Sequence, residues 1–202
     1  MGTKNKGSAE KRTVPLILPK SGSFELEEKK SRFLGYCASV NTEEAARAVI
    51  NEIRANHRSA NHNVFAYSVT EGNIIRMSDD GEPSGTAGMP VLNVFQKAGI
   101  IDYVCVVTRY FGGTLLGAGG LVRAYTKAAK GAMDNAEPEE LIISTVYKIK
   151  CHYSQFDKVK YNFDKQGITI LDVSYTDCCT LTVSVTEKQE QDFREGMGYS
   201  IL

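Results

Sequence analysis

Residues 101–135 decide the fold and read IDYVCVVTRYFGGTLLGAGGLVRAYTKAAKGAMDN. Residues 101–108 are apolar and rich in β-branched side chains, which predicts a central strand. Residues 121–135 predict a helix, because their apolar and basic side chains fall on opposite faces at the helical period. Five glycines lie between these elements, in residues 109–120. A strand that enters a helix through a glycine-rich turn is typical of mixed α and β structure.

This glycine-rich turn has the composition of an anion-binding site. Glycine lacks Cβ, so its N–H group can approach a ligand closely. A helix N-terminus adds about half a positive charge, and basic residues flank the turn. We therefore predict an anion or nucleic-acid site that consists of Arg109, Gly112, Gly113, Gly117, Gly119, Gly120, Arg123 and Lys127. The alternative is that the glycines serve tight packing and that the arginines are only solvated.

Two nucleotide-binding motifs fail at this turn. No Lys-Ser or Lys-Thr follows Gly120, so the Walker pattern is not met. Val122 stands where a dinucleotide fingerprint has its third glycine. We therefore expect no cofactor.

A second polar loop, residues 78–88, carries three carboxylates within four positions. Their oxygens could bind a divalent cation, but the spacing does not match an EF-hand, and we expect no metal site. The carboxylates could instead pair with Arg109 or Arg123, and Ser84 or Thr86 could cap the helix that follows. The residues expected to support the site are His62, Asp79, Asp80, Glu82, Ser84 and Thr86.

His57 and His62 raise the alternative of a hydrolase, because histidine near acids can act as a general base. No G-x-S-x-G elbow is present, and the sequence places no nucleophile against a base. We therefore assign no catalytic residue.

The remaining pattern predicts two domains. In the first part, strands are expected at residues 31–40, 62–70 and 73–77, with a helix from a cap at Asn41 to about His57 and another from about Pro90. A boundary is expected at residues 135–138. Beyond it, a strand, a helix, two strands and a helix are expected at residues 141–153, 154–165, 168–175, 179–186 and 187–197. This order is ferredoxin-like without its last strand, for which residues 198–202 are too few.

Composition sets wide limits on function. Residues 1–136 carry 17 Lys and Arg against 13 Asp and Glu, a net of +4, and residues 137–202 carry 7 against 11, a net of −4. A weakly basic first part permits an anionic partner. The five cysteines include no CxxC pair, which favours buried free thiols in a reducing compartment. The apolar run at residues 14–18 is too short for a signal peptide or a membrane span, so we expect a cytoplasmic protein without membrane contact.

Five motifs occur in the order of a known family. They are KSRF at residues 30–33, ANHN at residues 60–63, DDGEPSGTAG at residues 79–88, RYFGG at residues 109–113 and LGAGGLVRAY at residues 116–125. Together they resemble the bacterial branch of the IMPACT/YigZ family, over about residues 20–200.

The resemblance implies an α+β protein of two α/β sandwich domains, similar to domains IV and V of elongation factor G. Residues 20–136 should form an IMPACT-type domain with the ribosomal protein S5 domain 2-like fold, and residues 140–202 a ferredoxin-like domain. Residues 1–19 are expected to form a flexible segment. Eukaryotic members act in translational control through a different N-terminal domain, so their specific partners are not expected here. The shortened C-terminus departs from the family pattern and predicts a missing or vestigial last strand.

Three functions remain open from the sequence. The leading hypothesis is a translation-associated, regulatory protein that contacts RNA or the ribosome through the glycine-rich turn; no motif for sequence-specific DNA binding is present. The second is a hydrolase or phosphate-handling enzyme that uses residues 79–88 with Arg109. The third is a protein–protein interaction module whose exposed sheet edge accepts a strand.

Overall fold

The apolar run at the start of residues 101–135 lies at the centre of a five-stranded sheet. In the computed structural model, which describes residues 14–195 and 200–201, its strands are β2 (Gly22–Glu28), β3 (Ser31–Ser39), β4 (His62–Val69), β5 (Ile74–Ser78) and β6 (Tyr103–Tyr110). The strand order is β2-β3-β6-β4-β5, and every neighbouring pair is antiparallel. All but the last residue of β6 are buried, as a central strand requires.

Helices cover both faces of this sheet, because the side chains of β6 alternate between two cores. Cys105 and Val107 belong to the core beneath α2 (Gly88–Ala98) and α3 (Ala118–Asn135). Val104 and Val106 belong to a separate core beneath α1 (Glu43–Asn56). The sheet is therefore a buried layer between α1 on one face and α2 with α3 on the other.

Strand register brings three loops to one end of the sheet. The end of β6 pairs with the start of β3, where Phe33 is opposite Arg109, and with the start of β4, where His62 is opposite the same arginine. The glycine-rich turn therefore leaves the sheet beside the β2–β3 hairpin and the first residues of β4.

The N-terminal segment is packed where the structure describes it. β1 (Leu16–Ile17) pairs antiparallel with β7 (Glu139–Glu140), and Leu18 is buried in the core beneath α2 and α3. The prediction of a flexible segment over residues 1–19 is therefore wrong for residues 16–18, because pairing and burial fix them; its first thirteen residues lie outside the described residues.

The described residues form two compact units, which lie within residues 1–141 and 142–202. The second unit contains β8 (Ser144–Cys151), α4 (Phe156–Gln166), β9 (Thr169–Tyr175), β10 (Cys179–Thr186), α5 (Glu190–Glu195) and β11 (Ser200–Ile201). Its antiparallel sheet has the order β11-β8-β10-β9, which is the ferredoxin-like order. The last strand is present but short, since only two of its residues pair, Ser200 with Lys150 and Ile201 with Ile149; of the two predicted outcomes, missing or vestigial, it is the vestigial one.

Two local predictions for the first unit were wrong, and one strand was missed. β2 was not predicted, because its residues, GSFELEE, mix charges with only two large apolar side chains. The cap of α1 is Thr42, whose hydroxyl accepts from the Ala45 amide at 3.1 Å, and not Asn41. α3 begins at Ala118 rather than Leu121, so Gly119 and Gly120 lie inside its first turn.

Within the described part of the chain, no helix is long and apolar enough to span a bilayer.

Candidate nucleic-acid interface

The first residues of the glycine-rich turn are tied to the neighbouring loops. The Phe111 amide donates to Asn61 Oδ1 at 2.8 Å, and the Gly112 amide donates to Ser31 Oγ at 3.2 Å. A Cβ on Gly112 would clash with the Lys30 backbone. Gly112 is therefore a packing residue that lets the turn lie against the β2–β3 hairpin, and its amide already has a partner.

The rest of the turn presents an open helix N-terminus. Gly113 and Gly117 have φ values of 81° and 72°, which residues other than glycine rarely adopt. Gly117 is the N-cap of α3, and no side chain caps the helix. The amides of the first helical turn, Ala118 to Gly120, therefore lack the side-chain partner that capping supplies, and Ala118 and Gly119 are exposed.

Basic side chains lie around this N-terminus. Nη1 of Arg123 is 3.6 Å from the position that a Cβ on Gly119 would occupy, so this guanidinium group lies beside the first turn of α3. A cavity of about 220 Å³ beside it is lined by Lys29, Gly120, Arg123 and Lys127, with Glu28 as its acidic residue. Three cations and one carboxylate give the cavity a positive balance at the positive end of a helix.

Lys29 belongs to this cavity, and sequence reasoning missed it. It occupies the tip of the β2–β3 hairpin with φ 48°, and Lys30 follows with φ 65°. The Lys-Lys pair was visible in the sequence, but its place beside α3 depends on β2, which the pattern did not reveal.

Arg109 does not line the cavity, contrary to its predicted role as an anion ligand. Its residue is 5% exposed, and Nη1 donates to Glu82 Oε1 at 2.6 Å. The Tyr125 hydroxyl donates to the same carboxylate oxygen at 2.7 Å. The guanidinium group also lies over the rings of Phe33 and Phe111, at 5.4 and 5.5 Å from their centroids. Arg109 therefore holds the loops together, as the alternative of pairing with the acidic loop predicted.

Burial, together with the hydrogen bond to Glu82, raises the pKa of the Tyr125 hydroxyl well above its ordinary value. The hydroxyl therefore keeps its proton and remains a donor to Glu82. One buried carboxylate thus accepts from two elements, β6 through Arg109 and α3 through Tyr125.

Asp79 caps α2, a role that the sequence reasoning gave to Ser84 or Thr86. Its carboxylate accepts from the amides of Gly85, Ala87 and Gly88 at 2.8, 3.0 and 2.8 Å. Partial burial opposes ionisation, but these three amides hold the pKa of Asp79 below its ordinary value. The Thr86 hydroxyl instead donates to the Pro83 carbonyl, and Ser84 is exposed.

Asp80 and His62 tie the same loop to β4 and α1. Asp80 accepts from the Asn63 amide at 2.6 Å and pairs with Arg54 at 2.9 Å. Nδ1 of His62 is 2.8 Å from the Asp80 carbonyl oxygen, so this nitrogen donates, and Nε2 is 3.8 Å from Glu82. The carboxylates of the loop are thus engaged in structural bonds. Within the described ranges, no three His, Cys, Asp or Glu residues gather in a group that could hold a metal ion.

Comparisons with known proteins place both parts of the chain in known families. The family described as Impact N-terminal domain matches residues 29–133, and a domain of unknown function (DUF1949) matches residues 149–197. The IMPACT family member YvyE of Bacillus subtilis is 35% identical over 178 residues, which are 88% of this chain and 82% of that protein. The IMPACT family member YigZ of Escherichia coli is 32% identical, over 88% of this chain and 89% of that protein. A crystal structure of a hypothetical protein matches with a TM-score of 0.61 and 31% identity, over 94% of this chain and 96% of that one.

Proposed function

The chain belongs to the IMPACT family, and from that premise we propose that it is a translation-associated, regulatory RNA-binding protein. Phosphate groups of RNA would bind at the N-terminus of α3. The observation that carries this proposal is the uncapped first turn of α3 with the Arg123 guanidinium group beside it, 3.6 Å from the Cβ position of Gly119. Exposed amides and a guanidinium group both donate to phosphate oxygens.

The surroundings of α3 favour a strand of nucleic acid over a single small anion. Lys29 and Lys127 extend the positive charge along the cavity, so that successive phosphates could each meet a cation. Phe111, at the start of the glycine-rich turn, is 43% exposed and offers a ring for stacking of an unpaired base. Aromatic rings next to a basic groove are typical of proteins that bind single-stranded RNA.

Arg109 takes the role of a positioning residue in this proposal. Its pair with Glu82 joins the end of β6 to the loop of residues 79–88, and Tyr125 joins the same carboxylate to α3. Its ring contact with Phe111 holds the base-stacking side chain at the start of the turn. Loss of Arg109 should therefore weaken binding indirectly, through displacement of the turn.

The translational setting is taken from the resemblance to the eukaryotic members, which act in translational control. RNA contact is the chemistry that this chain offers for such a role. Ribosomal RNA, transfer RNA and messenger RNA all present the same phosphate groups, so the first test uses RNA in general.

The test measures binding of a fluorescently labelled single-stranded RNA to the full chain at several salt concentrations. The double variant Arg123→Gln/Lys127→Gln should bind at least about tenfold more weakly, and its salt slope should be smaller by about two. The matched control is Lys158→Gln/Lys160→Gln, which removes two exposed cations of α4 in the other unit. Equal affinity of wild type and the α3 variant, or no binding at low salt, would exclude this surface as the RNA site.

A further inference from the structure

A second cavity lies on the opposite face of the N-terminal sheet, between α1 and strands β4 and β5. Its volume is about 240 Å³. Besides the apolar side chains of Ile50 and Met77, guanidinium groups, aromatic rings and an amide line it. They are Arg47, Asn51, Arg54, Phe65, Tyr67 and Arg76. None of these residues lines the cavity beside α3, so a ligand here would be separate from one at α3.

Phe65 is the partly exposed aromatic residue of the cavity, and its neighbour Tyr67 is buried, with 2% of its surface exposed. The rings of Phe65 and Tyr67 are 6.0 Å apart and nearly parallel, with an interplanar angle of 15°. The Arg54 guanidinium group lies 5.6 Å from the centre of the Phe65 ring. Stacked rings and a guanidinium plane are surfaces against which a nucleobase stacks.

The three guanidinium groups are only partly engaged. Arg47 donates through Nε and Nη2 to Glu43, and Arg54 donates through Nη2 to Asp80. Arg76 donates through Nη1 to the Ile75 carbonyl and, among the described residues, has no carboxylate within 4.0 Å. The cavity therefore carries three positive charges against two neighbouring carboxylates, and Arg76 brings the unpaired charge.

We propose that this cavity binds one nucleotide, with its phosphate on Arg76 and its base against Phe65 and the Arg54 guanidinium group. An arginine fork matches a phosphate group geometrically, whereas a simple hydrophobic ligand would leave these donors unused. The small volume suits one nucleotide better than a dinucleotide. A free nucleotide and a nucleotide within an RNA strand present the same chemistry, and binding here does not require RNA contact at α3.

The experiment is a titration of the isotope-labelled full chain, followed by amide NMR shifts, with AMP, adenosine, inorganic phosphate and a short oligoadenylate. AMP should shift the amides of Asn51, Phe65, Tyr67 and Arg76 and bind at least about tenfold more tightly than adenosine or phosphate. Arg76→Gln should weaken AMP binding by about tenfold, and Arg76→Lys should recover part of the affinity. The control, Arg58→Gln, removes an exposed arginine beyond the end of α1 and should change nothing.

The outcomes separate this proposal from RNA binding at α3. AMP binding that Arg76→Gln weakens supports the nucleotide site even if no RNA binds at α3. Oligoadenylate binding that is tighter than AMP binding and sensitive to Arg76→Gln identifies an RNA strand as the source of the nucleotide. Absence of shifts at this cavity with AMP at about 5 mM, or shifts that Arg76→Gln leaves unchanged, would overturn the proposal.

Discussion

Replacement of Glu82 by glutamine should destabilise the N-terminal unit strongly. The carboxylate lies inside the protein, with its side chain 3% exposed, and its partner Arg109 is 6% exposed at the side chain. Glu82→Gln keeps the size of the side chain but leaves the Arg109 charge buried without a counter-charge. Removal of one partner from a buried pair costs about 3–5 kcal/mol. We expect about 3 kcal/mol, because the amide oxygen can still accept from Arg109 and from Tyr125.

The assay is unfolding of the full chain, by heat and by urea, followed by circular dichroism. A loss of about 3 kcal/mol should lower the melting temperature of the N-terminal unit by about 10 °C. The control is Glu25→Gln, which breaks the exposed pair between Glu25 and Arg32, whose side chains are 54% and 53% exposed. It should cost less than about 1 kcal/mol, because water screens exposed pairs.

A double variant decides whether the buried charge is the cause. Arg109→Met removes the charge and keeps most of the volume, so Glu82→Gln/Arg109→Met should recover part of the loss caused by Glu82→Gln alone. A loss for Glu82→Gln no larger than that for Glu25→Gln would refute the reasoning, since the buried pair would then contribute no more than an exposed one.

Three further predictions follow from the loops and the thiols. Asp79→Asn should be less stable than wild type at pH 7. Because the pKa of Asp79 is lowered in the folded state, the ionised carboxylate contributes its full stability above about pH 4, and this contribution is lost as the pH falls further. Urea unfolding should therefore show that the difference in stability between the two proteins disappears in acid. Gly112→Ala should unfold at lower temperature than Gly119→Ala, since a Cβ clashes with Lys30 only at Gly112. In the native protein, a thiol reagent should modify Cys178 first, because the other four cysteines are buried and burial raises the pKa of Cys37 to about 11; equal rates at all five would contradict this.

The strand-to-helix core of the fold was predictable because its signals are local. The apolar run of residues 101–108 predicted β6, and the separation of apolar and basic residues on opposite faces predicted α3. The alternating pattern of residues 179–186 gave β10 with the predicted bounds. Each of these elements buries a regular set of side chains, so its periodicity is visible in the sequence.

Elements fixed by partners far along the chain were missed. β2 has little apolar character of its own and exists because β3 pairs with it and α3 packs on it. β11 is two residues long and depends on β8. Both belong to strand pairings that no local pattern reveals.

The candidate site was predicted in part. Sequence reasoning found the glycine-rich turn and the cations Arg123 and Lys127, because turn composition and helical spacing are local properties, but it placed the start of α3 three residues too late. It could not tell that Arg109 points into the protein, since that depends on Glu82, which lies 27 positions earlier. The glycines that permit close approach of α3 to the sheet are Gly22, Gly35 and Gly131. The glycines at the start of α3 are therefore not explained by helix-to-sheet packing.

The salt dependence of RNA binding is the most direct test of the role of α3. Wild type should lose affinity steeply as salt rises, and Arg123→Gln/Lys127→Gln should show weaker binding with a slope smaller by about two, while Lys158→Gln/Lys160→Gln behaves as wild type. Identical slopes and affinities for all three proteins would contradict phosphate contact at the N-terminus of α3.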